Sequence, residues 1–293
     1  MSLMQENEIK FYCPQNINEL DQIIKTSKEK LTFVAGTTDL MALEHEWKKI
    51  NNLVDLNCVK ELSQKIEIQS DGILIGAAVP MSGIINHSLI KDKFTILVEA
   101  LQQVGSEQIQ NRATLGGNII NASPAGDSLP VLNVLNAQLW IGPQKNGEFE
   151  KIQVSEIMSG PDETTLKTNK YIAYVLFPFP EGENLFWYFR KVGQREALAI
   201  SKLSLAVLGW FKNGKIENIR ISAGAVTAQV KRAIKTESAL INKELNEKLI
   251  DEARKSLEDE IAPITDIRSN VEYRKQICGE LLRDALFQVK LEN

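Results

Sequence analysis

The sequence predicts an α+β fold made of two N-terminal lobes and a C-terminal domain in which a sheet precedes its helices. Residues 1–57 alternate between helix and strand patterns, and residues 58–180 carry strands joined by hairpin turns. After the boundary segment PFPEGEN, residues 184–293 supply three strands and then two or three amphipathic helices. Sheet first and helices after is the order of an α+β domain. A chain of 293 residues is long enough for two or three such units.

The first lobe is predicted to be a small parallel unit. Asn16 or Asn18 caps a helix whose apolar residues recur on one face, and LTFVAG follows as a buried strand. The TTD sequence offers N-caps for a second helix, LMALEHEWKK, with Leu40, Leu43 and Trp47 on one side. NLVDL is the second strand. This order of helix, strand, helix and strand favours parallel pairing.

The second lobe is predicted to be mixed, with largely antiparallel strands. IEIQSDGILIGAAV is a strand, an Asp-Gly turn and a second strand, and QKNGEF contains another hairpin turn. FTILVEALQQVG is an amphipathic helix that ends at Gly105, and SLPVLNVLNAQLWIG is a helix that runs into a strand. KYIAYVLFPFP is a long apolar strand stopped by prolines.

The C-terminal domain begins with three predicted strands, in LFWYFRKVG and SLAVLGWFKNGKIENIRISAGAVT, where Asn213-Gly214 signals a hairpin. Amphipathic helices follow in KRAIKTESALI, NEKLIDEARKSLEDEI and NVEYRKQICGELLRDALFQV.

The composition excludes several classes of protein. A net charge of −4 gives no electrostatic footprint for nucleic acid. No apolar run approaches the roughly 18 residues that a membrane span requires. The polar start MSLMQENEIK lacks a signal-peptide pattern, so we expect a cytoplasmic protein. The sequence also contains no GxSxG, HExxH or GxxxxGK[ST] motif, so side chains alone are poorly equipped for catalysis.

Cysteines and histidines are sparse. Cys13, Cys58 and Cys278 are far apart and show no CxxC spacing. We therefore expect no disulfide framework, no zinc site and no iron–sulfur cluster held by this chain alone. His45 and His87 have no close partner at metal-ligand spacing and are expected to be surface or satisfied residues.

Two glycine-bearing segments, one in each lobe, are candidate ligand loops. VAGTTDL places a strand end, a glycine and a helix start in succession, which points backbone N–H groups outward and suits phosphate. A plain turn glycine also explains that segment. ATLGGNIINASPAGDSLP, residues 113–130, combines Gly116-Gly117 with Asn118, Asn121, Ser123 and Asp127, more polar groups than a capped turn needs. Two such loops in separate lobes suggest one extended ligand, of the length of a dinucleotide.

With both loops in view, the chain resembles the flavin-binding medium subunits of the molybdenum hydroxylases, the family of xanthine dehydrogenase and aerobic carbon monoxide dehydrogenase. VAGTTDL is similar to the family's first flavin loop, AGGTDL, and the second segment matches T-x-GG-N-x-x-x-A-S-P-x-x-D-x-x-P at every fixed position. RKVGQREALAISKLSLAV, AGAVTAQVKRA and ITDIRSNVEYRKQICGELLRDAL resemble later signatures. The likeness runs from about Phe11 to Phe287.

The resemblance implies a two-lobed FAD-binding domain of the vanillyl-alcohol-oxidase type, followed by a small α+β domain. It implies that the first loop wraps the FAD pyrophosphate and that the second fixes phosphate, ribityl or ring from the other side, while further residues flank the flavin. The implied cofactor-binding residues are Val34, Ala35, Gly36, Thr37, Thr38, Asp39, Leu40, Val104, Thr114, Gly117, Asn118, Asp127, Ile172 and Lys191.

Two departures from the family pattern stand out. Thr37 replaces a second glycine, so a threonine must tolerate that backbone angle. Val104 replaces an aromatic residue that stacks on the ring in some relatives, which leaves the ring less shielded on that side. Four cations in RKVGQREALAISK lie close together around a glycine; they either act on the flavin or a second dinucleotide, or form a solvated basic strand edge.

The function implied by the resemblance is electron transfer in a complex. An iron–sulfur subunit and a molybdopterin-binding large subunit would be the partners, and FAD would pass electrons to NAD+ or another acceptor. A xanthine dehydrogenase-like complex is the first expectation, on GAAVPMSGI and GGNIINASPAGDSLP. Carbon monoxide, nicotinate, another N-heterocycle or an aldehyde are alternative substrates. The rival functions are a free-standing flavin oxidase of the same fold and a flavin-free scaffold.

Overall fold

The first lobe is built on a small parallel sheet. The computed structural model describes residues 9–42 and 49–292, so Leu43, His45 and Trp47 of the predicted second helix lie outside the described residues. The strand order is β1-β3-β2, and both pairings are parallel, as predicted. The elements are β1 (Lys10–Tyr12), α1 (Ile17–Thr26), β2 (Thr32–Val34), a 3-10 turn (Leu40–Ala42), β3 (Asn52–Asp55), a second 3-10 turn (Leu56–Cys58) and α2 (Lys60–Ser63).

Helix α1 begins where the sequence predicts. The Asn16 side chain accepts a hydrogen bond from the backbone N–H of Glu19, which satisfies one of the free donors of the first turn. Leu20 on its inner face is fully buried in a core shared with the second lobe. Asp21 on the same helix accepts hydrogen bonds from the Tyr171 hydroxyl at 2.9 Å and the Gln144 backbone at 3.0 Å. Apolar packing and these bonds fix one lobe against the other.

A disulfide bond joins Cys13 and Cys58, which corrects the expectation that the chain holds none. The two residues are separated by 45 positions, but their Cα atoms lie 5.4 Å apart. The cause is the parallel pairing of β1 with β3, which aligns Tyr12 with Val54 and so brings the two following turns together. The spacing of the two cysteines along the chain does not indicate that they lie close together.

The second lobe contains a five-stranded sheet in the order β4-β5-β10-β6-β7, antiparallel throughout. The hairpins predicted at IEIQSDGILIGAAV and QKNGEF are both present. In the second, Asn146 and Gly147 have φ values of 56° and 83°, as a two-residue turn with both central residues left-handed requires.

The helices of the second lobe are short and pack on one face of that sheet around a continuous apolar core. The elements of the lobe are β4 (Ile66–Ile68), β5 (Gly72–Gly76), α3 (Met81–Asn86), α4 (Ser88–Lys93), α5 (Thr95–Gln102), α6 (Glu107–Gln110), α7 (Leu115–Asn121), α8 (Ser128–Val134), β6 (Gln138–Lys145), β7 (Glu148–Gln153), a 3-10 turn (Val154–Glu156), β8 (Met158–Gly160), β9 (Glu163–Thr164) and β10 (Tyr171–Pro178).

The C-terminal domain has the predicted three-stranded antiparallel sheet, in the order β11-β12-β13, covered by helices. Asn213 and Gly214 turn the β12–β13 hairpin at φ values of 52° and 75°. A second core of buried residues lies between the sheet and the helices. The elements are β11 (Leu185–Val192), β12 (Leu203–Lys212), β13 (Lys215–Gly224), α9 (Ile234–Leu240), α10 (Glu247–Glu260) and α11 (Val271–Glu292).

Polar contacts lock this domain to the second lobe through α8. The Asn133 side chain donates to the Val230 carbonyl at 3.0 Å, and Arg220 donates to the Val134 carbonyl at 3.0 Å while lying over the Trp210 ring. Among the described residues, none of the helices combines the length and the hydropathy that a bilayer-spanning segment needs.

A buried arginine secures the loop before α11. Arg274 donates to the Asp266 carboxylate at 2.6 Å and to the Ala225 carbonyl at 2.8 Å, and its side chain is only 3% exposed. Asp266 also accepts the backbone N–H groups of Arg268 and Ser269, so one carboxylate organises the whole turn. The ITDIRSNVEYR segment therefore has a clear structural role.

Candidate functional site

A cleft of about 820 Å³ lies where the two lobes and the C-terminal domain meet. Every residue implied by the family resemblance except Ile172 lines it. From the first lobe and the ends of α5 and α6 come Thr32, Phe33, Val34, Ala35, Gly36, Thr37, Thr38, Asp39, Leu40, Val104, Gly105, Ser106 and Ile109. The rest are Met81, Ala113, Thr114, Gly117, Asn118, Ile120, Asn121, Ser123, Ala125, Gly126, Asp127, Lys191, Leu198, Ala199, Ile200 and Arg268.

The first loop presents its backbone to the cleft. Within the described part of the chain, no hydrogen bond is made by the backbone N–H groups at positions 36–39. Successive free N–H groups in a turn form a concave anion site. The loop is held from behind, because the Asn57 side chain donates to the Ala35 carbonyl at 2.8 Å. This wall of the cleft fits a diphosphate.

Gly36 is required by a close approach of two chain segments. A Cβ atom at this position would overlap the backbone carbonyl of Arg112, just before the second loop. The first loop therefore touches the start of the second loop directly. The absence of a side chain brings the two walls of the cleft together.

Thr37 adopts a left-handed backbone conformation, with φ of 58°. This is the position at which the family pattern has glycine, and a β-branched residue is strained there. After it the chain forms only a 3-10 turn within the described residues, with Met41 N–H donating to the Thr37 carbonyl at 3.0 Å. The threonine therefore tolerates an angle that costs it energy.

We expect Thr37→Gly to stabilise the FAD-free chain by about 1 kcal/mol, because glycine reaches a left-handed angle without the steric cost that threonine bears. Denaturant unfolding would measure the change. Thr38→Gly is the matched control: Thr38 has no positive φ, so the same substitution should cost about 0.5–1 kcal/mol through backbone entropy. Equal effects at the two positions would contradict strain at Thr37.

The second segment is a helix where the sequence suggested a loop. Helix α7 begins after Thr114, whose hydroxyl accepts the Gly117 backbone N–H at 3.1 Å as an N-cap. Gly116 packs against the residue that follows β5 in the same lobe: its N–H donates to the Ala77 carbonyl, and a Cβ there would collide with Ala77. Gly116 is therefore a packing glycine.

Gly117 has the opposite environment. It is exposed and lines the cleft, and among the described residues a Cβ atom would meet only the Thr114 hydroxyl within 4 Å, at 3.0 Å. Any larger side chain would therefore project into the cleft. This position fits a bound ligand that lies against bare backbone.

The Asn118 amide is oriented by a buried neighbour. Its Oδ1 accepts a hydrogen bond from the Ser128 hydroxyl at 2.5 Å. With the oxygen engaged, the Nδ2 group remains as a donor on the cleft side, since Asn118 is half-buried and lines the cleft. Ser128 was not among the predicted residues, because a single serine in an apolar helix carries no periodic signal.

We expect Asn118→Ala to weaken FAD binding by about 1.5–3 kcal/mol, the contribution of one hydrogen bond to a charged group. Fluorescence titration of the FAD-free chain with FAD would measure the dissociation constant. Asn86→Ala, at an exposed asparagine that ends α3 and does not line the cleft, should leave the constant unchanged. An unaltered constant in Asn118→Ala would remove that amide from the site.

The floor of the cleft contains a buried ion pair. Lys191 on β11 donates to Asp127 at 2.6 Å and to the Gln103 carbonyl at 2.8 Å, and the two charged side chains are 10% and 8% exposed. The other carboxylate oxygen accepts the Ser201 hydroxyl. Burial raises the pKa of Asp127, while the Lys191 charge and the two hydrogen bonds oppose that rise.

The two remaining predicted residues, Val104 and Ile172, differ in whether they line the cleft. Val104 is half-buried and lines the cleft next to the carbonyl that Lys191 holds. Ile172 in β10 is 3% exposed, packs in the core of the second lobe and does not line the cleft. Leu198, Ala199, Ile200 and Arg268 of the C-terminal domain also line the cleft. They lie in segments that resemble family signatures, the first of them a segment beside the flavin ring, but none was among the predicted site residues.

The basic cluster of RKVGQREALAISK does not converge on one point. Arg195 donates to the carbonyls of Ala197 and Leu198, within its own loop. Lys202 lies over the Tyr273 ring, 5.5 Å from its centre. Of the cluster, Lys191 is the cation that lines the cleft.

Comparison with known proteins identifies the same family in the N-terminal and the C-terminal parts of the chain. Residues 7–180 match the FAD binding domain in molybdopterin dehydrogenase, and residues 187–289 match the CO dehydrogenase flavoprotein C-terminal domain. The glyceraldehyde dehydrogenase medium chain of Sulfolobus acidocaldarius is 24% identical over 98% of this chain and 100% of its own length. The xanthine dehydrogenase FAD-binding subunit of Escherichia coli O157:H7 is 27% identical over 86% of each.

The fold agrees with a solved structure. Reconstituted CO dehydrogenase from Oligotropha carboxidovorans contains a chain that superposes with a TM-score of 0.88 at 21% identity, over 99% of this chain and 100% of that one. The α+β fold inferred from the sequence is thereby confirmed. The match of the first family model over more than half of the residues settles the family: the chain belongs to the FAD-binding medium subunits of the molybdenum hydroxylases.

Proposed function

We propose that the cleft holds FAD between the two loops and that the chain is the electron-transfer subunit of a multi-subunit molybdenum hydroxylase. Two features of the cleft carry the proposal: the backbone N–H groups at positions 36–39, which have no hydrogen-bond partner among the described residues, and the bare backbone of Gly117 in the second loop. The N–H groups of the first loop bind an extended anionic ligand, and the bare backbone at Gly117 leaves space for it.

Different residues of the cleft bind different parts of the cofactor. The first loop binds the diphosphate through its N–H groups, and Asn118 Nδ2 donates to the ligand from the facing wall. Asp127 and Lys191 place a neutralised pair of charges beside it, so the floor is polar without a net charge. The proposed contacts thus explain why the two loops are built from backbone and amide groups.

The redox chemistry belongs to the cofactor, and the chain supplies its placement. When bound, FAD can accept electrons singly and release them as a pair. The three cysteines of the chain are occupied or buried: two form the disulfide, and burial raises the pKa of the Cys278 thiol to about 12. This supports the proposal that electrons arrive from an iron–sulfur partner subunit, after oxidation of the substrate on a molybdopterin-binding large subunit.

A xanthine-type purine is the substrate that we propose for the complex, with NAD+ as electron acceptor. The segments GAAVPMSGI and GGNIINASPAGDSLP favour that branch, and the similarity to a xanthine dehydrogenase subunit agrees with it. The relatives also include a nicotinate dehydrogenase FAD-subunit and a carbon monoxide dehydrogenase medium chain. Their names make nicotinate and carbon monoxide the substrates to test beside xanthine.

The test is purification of the tagged chain from its native host. We expect a yellow complex that releases FAD, carries two further untagged subunits with iron–sulfur clusters and molybdopterin, and reduces NAD+ with xanthine. A chain that purifies without flavin and gains none from added FAD would overturn the cofactor site. A flavin-containing complex that oxidises nicotinate, carbon monoxide or an aldehyde but not xanthine would overturn only the substrate.

A further inference from the structure

The segment between β11 and β12, residues 193–201, reaches from the C-terminal domain to the cleft. Its base is closed by a hydrogen bond from Lys202 N–H to the Val192 carbonyl at 2.8 Å. Its tip is organised by Arg195, which donates to the Ala197 carbonyl at 2.9 Å and the Leu198 carbonyl at 2.7 Å. We call this segment the cleft loop, because its residues 198–200 line the cleft.

The cleft loop presents apolar side chains that are largely exposed. Leu198 and Ile200 are 55% and 63% exposed, although both are large and apolar. The tip is also strained, since Leu198 has a left-handed φ of 54°. A strained tip with exposed apolar side chains keeps one position only if its ends are firmly anchored.

The anchor at the C-terminal end is Ser201. Its side chain is fully buried, and its hydroxyl donates to Asp127 Oδ1. Among the described residues, this is the hydrogen bond that joins the cleft loop to the FAD-binding lobes. The carboxylate is fixed in turn by Lys191 through its second oxygen.

The same carboxylate therefore connects three parts of the cleft. Lys191 ties it to β11 and to the carbonyl beside Val104, and Ser201 ties it to the cleft loop. Without the Ser201 hydroxyl, Oδ1 of a buried carboxylate loses its partner, which is costly, and the loop loses its bond to the second lobe.

We propose that Ser201 is a positioning residue for the flavin: through Asp127 it holds the apolar tip of the cleft loop against the cleft and so limits the access of solvent to a flavin bound there. The inference rests on the proposed placement of FAD in this cleft. It assigns Ser201 no contact with the reacting atoms, since its hydroxyl is used by Asp127.

The test compares Ser201→Ala, Ser201→Thr and Ser204→Ala in the full-length chain, each freed of unbound FAD. Ser204 is the matched control: it is equally buried, two strand positions into β12, and its hydroxyl has no hydrogen-bond partner within the described residues. Iodide quenching of flavin fluorescence, normalised to bound FAD, reports the access of solvent to the ring. The visible flavin spectrum and its reduction potential are recorded on the same samples.

We expect Ser201→Ala to keep its FAD content but to raise the iodide quenching constant about tenfold, the effect of losing a hydrogen bond to a charged group on a loop equilibrium. Ser201→Thr, which keeps the hydroxyl, should restore the constant, and Ser204→Ala should match the wild type. Wild-type quenching in Ser201→Ala, or an equal rise in Ser204→Ala, would overturn the proposal. A wild-type chain that binds no FAD would overturn the proposed function, and this inference with it.

Discussion

Gly117→Val should abolish FAD retention and leave a folded protein. A valine at this position sends two methyl groups into the cleft, where the glycine leaves the backbone bare. The residue is exposed, so the added bulk meets little protein besides the Thr114 hydroxyl. Loss of shape fit and of the diphosphate's approach should raise the dissociation constant of FAD by at least about a hundredfold, or 2.7 kcal/mol.

Flavin content after gel filtration and far-UV circular dichroism would measure the two halves of this expectation. The control is Gly83→Ala in α3, an exposed helical glycine whose added Cβ meets Val79 at an ordinary 3.4 Å. That change should keep full flavin content and add up to about 1 kcal/mol of stability. A Gly117→Val chain with normal flavin content would remove the second loop from the binding site.

Arg274→Met should destabilise the chain by about 3 kcal/mol, because it strips a buried carbonyl and a carboxylate of their shared donor. The guanidinium contacts both Asp266 and the Ala225 carbonyl, and methionine replaces its volume without its hydrogen bonds. Denaturant unfolding would measure the loss. Since Arg268 follows Asp266 in the same turn and lines the cleft, the variant should also bind FAD less tightly.

Arg283→Met on the same helix is the matched control. Its guanidinium is 43% exposed and pairs with Glu280 near the surface. Pairs of this kind contribute at most about 1 kcal/mol, so a small change is expected. Comparable losses in the two variants would contradict the special role of the buried arginine.

The turn at Asp266 should also shape the acid side of the stability profile. Burial raises the pKa of Asp266, but hydrogen bonds from Arg268 and Ser269 N–H and from Arg274 outweigh it and lower the pKa below the ordinary value. A lowered pKa contributes stability that is complete above the ordinary aspartate range and is lost as pH falls through the lowered value. Arg274→Met should therefore lose less stability than the wild type between neutral and acid pH, measured as unfolding free energy. Parallel profiles would argue against this coupling.

Much of the fold could be predicted because local chemistry and tertiary structure agree. Asn146-Gly147 and Asn213-Gly214 are turns that few other residue pairs can make, and both hairpins are present. Strands β12 and β10 are continuous apolar runs buried on both faces, which sequence patterns mark plainly. The sheet-then-helix order of the last hundred residues likewise needs no knowledge of distant contacts.

The features that the sequence does not predict depend on contacts between residues that are distant along the chain. The sequence of helix α7 favours a loop because two glycines weaken a helix by about 1 kcal/mol each. The Thr114 cap and packing against Ala77, which stabilise the helix, depend on the fold. The disulfide between Cys13 and Cys58 depends on strand pairing between segments 45 positions apart. Hydroxyl groups such as those of Ser128 and Ser201 gain meaning only from the partner that the fold delivers.

The cleft is lined by segments that range from position 32 to position 268, so no fragment of the chain can recreate it. A coenzyme that recognises only the finished arrangement adds its own binding energy to folding by mass action, about 2.7 kcal/mol at a concentration one hundred times the dissociation constant. The midpoint temperature of thermal denaturation should therefore rise with the concentration of free FAD. A cell short of riboflavin would clear the empty protein sooner than the loaded one.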